Sequence, residues 1–218
     1  MAMMKAIDQR KTALMIKKSN NSLALYLYRP NFFYEIEKID QQKRDLEYSG
    51  HKSFLVNSLF PDILIIKPNE QDKFVGSIAG LITSKLNDSI SEVQFSRAEP
   101  GSSAGPMMYE IAMSLVGELT SDREVVSQEA SSVWKKFFDR TDIAHKKLPK
   151  ELVNQKFNKN EPWLNYSYKL KKGVGQDIKV LRSVHEMAIE TFSQKTGMSI
   201  EEIEDTLYRI LITRYNLD

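Results

Sequence analysis

Apolar and polar positions follow two rhythms along this chain, and each rhythm assigns an element. The run Ser22-Leu23-Ala24-Leu25-Tyr26-Leu27-Tyr28 suits a strand or the start of a buried helix, and Pro30-Asn31 closes it. Phe33, Ile36, Ile39 and Leu46 then recur at helical spacing up to a Ser49-Gly50 stop. Two apolar, β-branched runs, residues 63–66 and 74–82, flank a polar turn and read as an antiparallel hairpin. A third run, Val93-Gln94-Phe95-Ser96, follows the loop Leu86-Asn87-Asp88-Ser89 and completes a three-stranded meander.

After Ser96 the chain changes character. Residues 97–106 form a loop of small side chains, and the spacing of Met107, Met108, Ile111, Met113 and Leu115 predicts a helix over 106–116 with a methionine-rich core face. Pro106 fits its first turn, where a missing N–H costs nothing, and Gly117 ends it. Leu119-Thr120-Ser121 predicts a short strand. Ser127 caps a helix over 128–138 that has Glu129 in its first turn, and residues 164–170 alternate like a strand. Two amphipathic helices, over 178–195 and 199–215, close the chain. The second opens on the capping box Ser199 to Glu202 and carries Ile200, Ile203, Leu207 and Ile210 on one face. The layout is mixed α/β (α+β), with a central, mostly antiparallel sheet, a β–loop–α unit and a C-terminal helical pair. It divides the chain into a domain over 1–175 and a two-helix extension over 176–218, packed on that domain or used for homo-oligomeric association.

Composition narrows the chemistry. With 218 residues, 41% of them hydrophobic, the chain is long enough for one well-buried core plus a small addition. The absence of cysteine excludes a disulfide framework, a zinc ribbon and a thiol nucleophile. A formal charge of +2 argues against bulk electrostatic coating of DNA. The first residues, MAMMKAIDQRKTALMIKKSNN, lack the apolar core of a signal peptide, and no apolar run reaches the ~18 residues of a membrane-spanning helix. The expectation is a cytoplasmic protein without a membrane partner. His51, His145 and His185 have no carboxylate at metal-ligand spacing and read as surface residues, so no metal is expected.

The small net charge conceals a segregated one. From Lys146 to Lys172 there are eight lysines against two glutamates, with Phe157, Trp163, Tyr166 and Tyr168 between them. Nucleic-acid surfaces combine cations and aromatics in this way. The favoured reading is a solvated connection before a strand whose aromatics face the core; nucleic acid is the disfavoured one.

The feature that speaks to chemistry is the strand at 93–96, the loop at 97–106 and the helix at 106–116. Amides at such a helix start have no intrahelical acceptor and lie at the positive end of the helix dipole, which suits a phosphate or pyrophosphate. The loop is neither a Walker A sequence nor GxGxxG. The meander, loop, helix, short strand, second helix and final strand resemble the GNAT (Gcn5-related N-acetyltransferase) fold over roughly residues 60–170. The closest likeness is to small GNAT-like proteins of tailed phages, through GPMMYEIAM, LTSDR and VSQEASSVWKKFFDR. That family's pyrophosphate motif reads Arg/Gln-x-x-Gly-x-Gly/Ala. The matching stretch is Pro100-Gly101-Ser102-Ser103-Ala104-Gly105, with Ser103 for the central glycine and Pro100 where Arg or Gln is expected.

The resemblance implies an acyl-CoA-dependent N-acyltransferase with acetyl-CoA as co-substrate, held by Arg97, Gly101, Ser102, Ser103, Ala104 and Gly105. The acyl group would pass directly to an amine of a small molecule or protein, with main-chain amides of residues 93–97 polarising the thioester carbonyl. The family's helix tyrosine, which protonates the leaving thiolate, is matched by Trp134, which has no useful proton to give. Tyr109, Tyr166 and Tyr168 are the substitutes, with Tyr109 the candidate acid. Asp122 is the candidate base, a role that needs burial to raise its pKa; a plain turn with an Asp122–Arg123 ion pair is the simpler reading. The alternative function is a catalytically inactive GNAT-like binding or structural protein, such as a phage virion component; a phage-encoded enzyme would work in the host cytoplasm.

Overall fold

A computed structural model describes residues 11–30, 77–98, 102, 104–157 and 160–214. The helix expected from Phe33 and the strand expected at 63–66 lie outside the described residues. The others form seven strands: β1 (Ala13–Lys18), β2 (Ser22–Tyr28), β3 (Ser77–Lys85), β4 (Ile90–Ala98), β5 (Glu118–Thr120), β6 (Ile143–Lys147) and β7 (Tyr166–Leu170). They make one open, mostly antiparallel sheet in the order β1-β2-β3-β4-β5-β7-β6. Four helices accompany it: α1 (Ala104–Val116), α2 (Gln128–Asp139), α3 (Gly175–Thr196) and α4 (Ile200–Arg214). The architecture is the mixed α/β class that the pattern predicts.

Local signals set the helix limits. Helix α1 begins two residues before the expected start, at Ala104, whose N–H donates to Ser102 Oγ at 3.3 Å. It stops at Gly117, where a φ of +88° suits a residue without a Cβ and the N–H donates to the Met113 carbonyl at 3.0 Å. Ser127 caps α2 as expected, its hydroxyl accepting from the Ala130 N–H at 3.2 Å. In α4 the Ser199 N–H donates to Glu202 at 2.8 Å while the Glu202 N–H donates back to the Ser199 hydroxyl at 3.2 Å.

Two strands depart from the expectation. The pattern around Ser22 does not separate β1, which joins β2 through Ser19-Asn20-Asn21; the Ser19 N–H donates to the Ser22 carbonyl at 2.9 Å. Strand β6 is not among the expected strands; it begins before the lysine-rich segment and ends on that segment's first two lysines, Lys146 and Lys147. It is the last strand of the sheet, pairing antiparallel with β7 from Ile143↔Leu170 to Lys147↔Tyr166, and only Ile143 is buried. An edge strand with one buried side chain carries no alternation to read, and its lysines blunt an exposed edge.

The described chain forms two compact units. The first holds Ile16–Leu25 and Ala79–Val180, and the second holds residues 11–15, 26–30, 77–78 and 181–214. In the first, Met107, Met108 and Met113 of α1 are buried with Leu81, Trp134 and Phe137, as the methionine spacing predicts.

In the second unit Ile203 and Leu207 of α4 are buried, whereas Ile200 is 43% exposed and leaves the expected apolar face. His185 corrects the surface reading of the histidines: it is buried between Tyr28 and Glu204. Its Nε2 lies 3.1 Å from Glu204 Oε1 and its Nδ1 2.8 Å from the Tyr28 hydroxyl. A carboxylate can only accept, so Nε2 carries the proton and Tyr28 donates to Nδ1. Burial lowers the His185 pKa, against the opposing pull of Glu204. The unfolded chain therefore takes up this proton first, near pH 6.5, so the contribution is whole above that pH and drains away below it. Amide protection factors in α3 and α4, taken relative to the intrinsic exchange rate at each pH, should fall between pH 7.5 and 5, and His185→Gln, which keeps one donor and one acceptor, should flatten that dependence. A flat profile in the unsubstituted protein would contradict the assignment.

Candidate active site

Strands β4 and β5 are the parallel pair of the sheet. They are registered only from Ile90↔Glu118 to Glu92↔Thr120. Beyond Thr120 strand β5 ends, while β4 continues six residues to Ala98 still paired with β3. The two chains therefore part, and among the described residues no strand pairs with the β5-facing side of β4 past Glu92. The β3–β4 register shifts between Ile82↔Phe95 and Thr83↔Val93, so Gln94 is an extra residue in β4 at the point of parting. A bulge of this kind bends its strand and re-aims the backbone.

The loop after β5 is held open by Arg123. Its Nε donates to the Ser121 carbonyl at 3.0 Å, Nη2 to the Leu164 carbonyl at 2.5 Å, and Nη1 to Asn165 Oδ1 at 3.3 Å. Burial lowers its pKa. The expected ion pair with Asp122 is not formed. Asp122 Oδ1 instead accepts the N–H groups of Glu124 at 2.6 Å and Val125 at 2.9 Å, closing the turn that leads to α2. Its other oxygen has no hydrogen-bond partner among the described residues.

Three connected hollows occupy the parted region. The first, about 500 Å³, lies against the start of α1 and is lined by Arg97, Ala98, Ser102, Gly105 and Tyr109, with Glu129 and Ala130 of α2 opposite. The second, about 160 Å³, lies between Val93–Ser96 of β4 and Trp134 of α2; it shares Ser96, Tyr109, Ser127 and Ala130 with the first. The third, about 700 Å³, shares Gln94 and Asp122 with the second and is also lined by Glu92, Arg123, Glu124 and Glu151. None of its four carboxylates is ion-paired among the described residues.

Of the residues assigned to the anion loop, Arg97, Ser102 and Gly105 line the first hollow. Ala104 is buried at the helix start, and Gly101 and Ser103 lie outside the described residues. Glu129 opposes an anion there: its own amide and the Ser127 hydroxyl hold its pKa below the usual range, which keeps it ionised, and Arg97 is the cation in the same lining.

The three candidate tyrosines separate cleanly. Tyr168 donates to the Trp163 carbonyl at 2.6 Å, and Tyr166 packs edge-on against Phe138 and His145. Neither lines any of these three hollows. Tyr109 lines the first and second hollows together, and its hydroxyl lies 2.5 Å from Ser96 Oγ. Burial raises its pKa, and the Ser96 hydrogen bond offsets this only in part, so the phenol is neutral near pH 7 and available as a proton donor.

Sequence reasoning did not find Ser96, Gln94 or Glu92 as site residues, because a bulge and a splayed strand pair leave no periodic trace. The lysine-rich segment supplies the end of β6, the turns that follow and β7, and its aromatics Tyr168 and Phe157 are buried, as expected of a strand whose aromatics face the core. Among the described residues no group of three or more His, Asp or Glu is placed to hold a metal, and no described helix is long and apolar enough to cross a membrane. No family model, curated protein or solved structure matches the chain.

Proposed function

We propose that the chain is an acyl-CoA-dependent N-acyltransferase of the GNAT type, using acetyl-CoA and a positively charged amine acceptor. The observation that carries this reading is the parting of parallel β4 and β5 at the Gln94 bulge, with a helix N-terminus beside one end of the groove and an acid-lined cleft at the other. The diphosphate of the cofactor lies along residues 97–105, and the thioester enters the small middle hollow beside β4 past Glu92. There main-chain amides bind the carbonyl oxygen as charge develops on it. The amine arrives through the acidic cleft, where Glu92, Asp122, Glu124 and Glu151 favour a cation. It first gives one proton to Asp122 or water, since only the neutral amine carries a lone pair; it then attacks the carbonyl carbon, the C–N bond forms and the C–S bond breaks. Tyr109 protonates the departing thiolate, and the second proton shed by the new amide nitrogen restores Tyr109 through water. Trp134 supports the inactive-binder alternative, since it stands where the family places its acid; Tyr109 reaching the same hollow from α1 favours activity.

Calorimetry with acetyl-CoA tests binding, and thiol release with a diamine tests transfer; a cysteine-free chain adds no thiol background. We expect saturable binding that Gly105→Asp weakens at least about tenfold by setting a carboxylate against the diphosphate. Gly105→Ala should bind normally, because its new Cβ meets only Ala98 Cβ, at 3.6 Å. No binding up to millimolar ligand overturns the proposal, and binding without thiol release for any amine tested assigns the chain to the inactive alternative.

A further inference from the structure

We infer that Trp134 limits the transferred acyl group to a short chain, making it a specificity-determining residue; this rests on the acyltransferase reading. The middle hollow measures about 160 Å³, and the Trp134 indole forms part of its wall. An apolar cavity of about 150 Å³ accepts benzene, so this hollow holds roughly six non-hydrogen atoms. The thioester sulfur and carbonyl take three of them. The remainder accommodates an acetyl, propionyl or butyryl tail, while a hexanoyl tail overfills it.

The wall does not swing aside easily. Trp134 is 1% exposed and packed against three rings: Tyr109 at 5.0 Å between centroids, Tyr168 at 5.1 Å and Phe137 at 5.9 Å. Two of those rings are themselves anchored, Tyr109 to Ser96 and Tyr168 to the Trp163 carbonyl. Helix α2 is pinned nearby through Ser131, which donates to Glu161 and accepts from the Trp163 indole N–H at 3.0 Å. A new rotamer for Trp134 would break several of these contacts at once. Neither of the two hollows that adjoin the middle one leaves room for a longer tail. One is the hollow filled by the cofactor itself, and the other passes Gln94 and Asp122 into the acidic cleft, where the tail would displace the amine.

The test compares CoA, acetyl-, butyryl-, hexanoyl- and octanoyl-CoA by calorimetry and by kcat/KM with one diamine, on the full chain, on Trp134→Leu and on Trp134→Phe. Because one methylene in a tight pocket is worth about 10–200-fold, kcat/KM for hexanoyl-CoA should fall at least tenfold below that for acetyl-CoA. Trp134→Leu should raise the hexanoyl-to-acetyl ratio at least tenfold. Trp134→Phe, the milder change should the leucine variant fail to fold, should raise it in the same direction. If the transferase reading holds only for binding, the same order should appear in the affinities. Octanoyl-CoA used or bound as well as acetyl-CoA, or a ratio unmoved by both substitutions, overturns the assignment of Trp134 and leaves the acyltransferase reading standing. Failure of CoA and all its thioesters to bind overturns both.

Discussion

Arg140→Ala should lower the melting temperature by about 6–20 °C. Arg140 ends α2 and bridges two carboxylates of unequal standing. One guanidinium nitrogen contacts Glu110 of α1, whose side chain is 1% exposed. The other two hold Asp142 as a bidentate pair, at 2.9 and 2.6 Å, and Asp142 is half exposed. The Asp142 pair is geometrically good but solvated, and such pairs contribute little. Glu110 is the costly member, because its second oxygen already lacks a hydrogen-bond partner among the described residues. Removing Arg140 leaves a buried carboxylate without a cation, a change worth about 3–5 kcal/mol. At about 2–4 °C per kcal/mol for a chain of this size, that gives the stated drop. The double variant Glu110→Leu, Arg140→Leu should recover most of the loss, since an apolar pair leaves no charge to desolvate. A loss below about 1 kcal/mol in Arg140→Ala, or no recovery in the double variant, would show that Glu110 does not depend on this partner. Acid adds a smaller, separate effect. Arg140 holds the Asp142 pKa at about 2, below the usual carboxylate range, so this pair's contribution is present above about pH 4 and lost as pH falls through 2.

What the sequence discloses about this molecule is what lies close together along it. Gly117 stops α1, Ser127 starts α2, and Ser199 with Glu202 starts α4, each through hydrogen bonds spanning three or four residues. Such signals are legible because cap and capped group are neighbours in the chain. Arg123 shows the opposite case. Beside Asp122 it looks like half of a local ion pair, but its guanidinium reaches Leu152, Leu164 and Asn165, 29 to 42 residues away. Arg140 and Glu110, 30 residues apart, are equally silent until the helices are placed.

The site divides along the same line. The small-residue loop before α1 and the tyrosine on its buried face can be picked out from composition and spacing. The groove itself cannot, because it arises from an event in pairing: β5 is three residues long, so its parallel partner continues alone. The bulge at Gln94 adds a change of register that no apolar alternation records. Glu92 and Gln94 look like ordinary polar positions on a half-exposed strand until that event places them beside Asp122 in one cleft. The histidines illustrate a related limit, since a buried histidine and a surface one have the same sequence signature when their partners are distant. Tyr28 lies 157 residues from His185.

On the proposed acyltransferase reading, Tyr109→Phe should lower kcat for amine acylation by about a hundredfold or more, with the affinity for acetyl-CoA nearly unchanged. Departure of the thiolate needs a proton, and of the three candidate tyrosines only Tyr109 lines the middle hollow. Among the described residues its hydroxyl has one hydrogen-bond partner, Ser96 Oγ, which can accept its hydrogen in the resting state and turn to donate to it once the proton has moved. The substitution keeps the ring and its edge-on contacts with Trp134 and Phe137, so the wall of the hollow and the cofactor cleft stay in place. The lost hydrogen bond should cost about 1 kcal/mol of stability, too little to explain a hundredfold loss of rate. Because burial raises the Tyr109 pKa above its ordinary value of 10, the acid form persists throughout the neutral and mildly alkaline range, and the rate limb from its ionisation should lie above pH 10. Ser96→Ala should lower kcat less than Tyr109→Phe, because the phenol keeps its proton and loses only its orienting partner. Thiol release at saturating acetyl-CoA and amine measures both. A kcat for Tyr109→Phe within about threefold of the unsubstituted protein would place proton transfer elsewhere, on solvent or on the departing amine proton. In that case the proposed transfer would rely on alignment of the reactants alone.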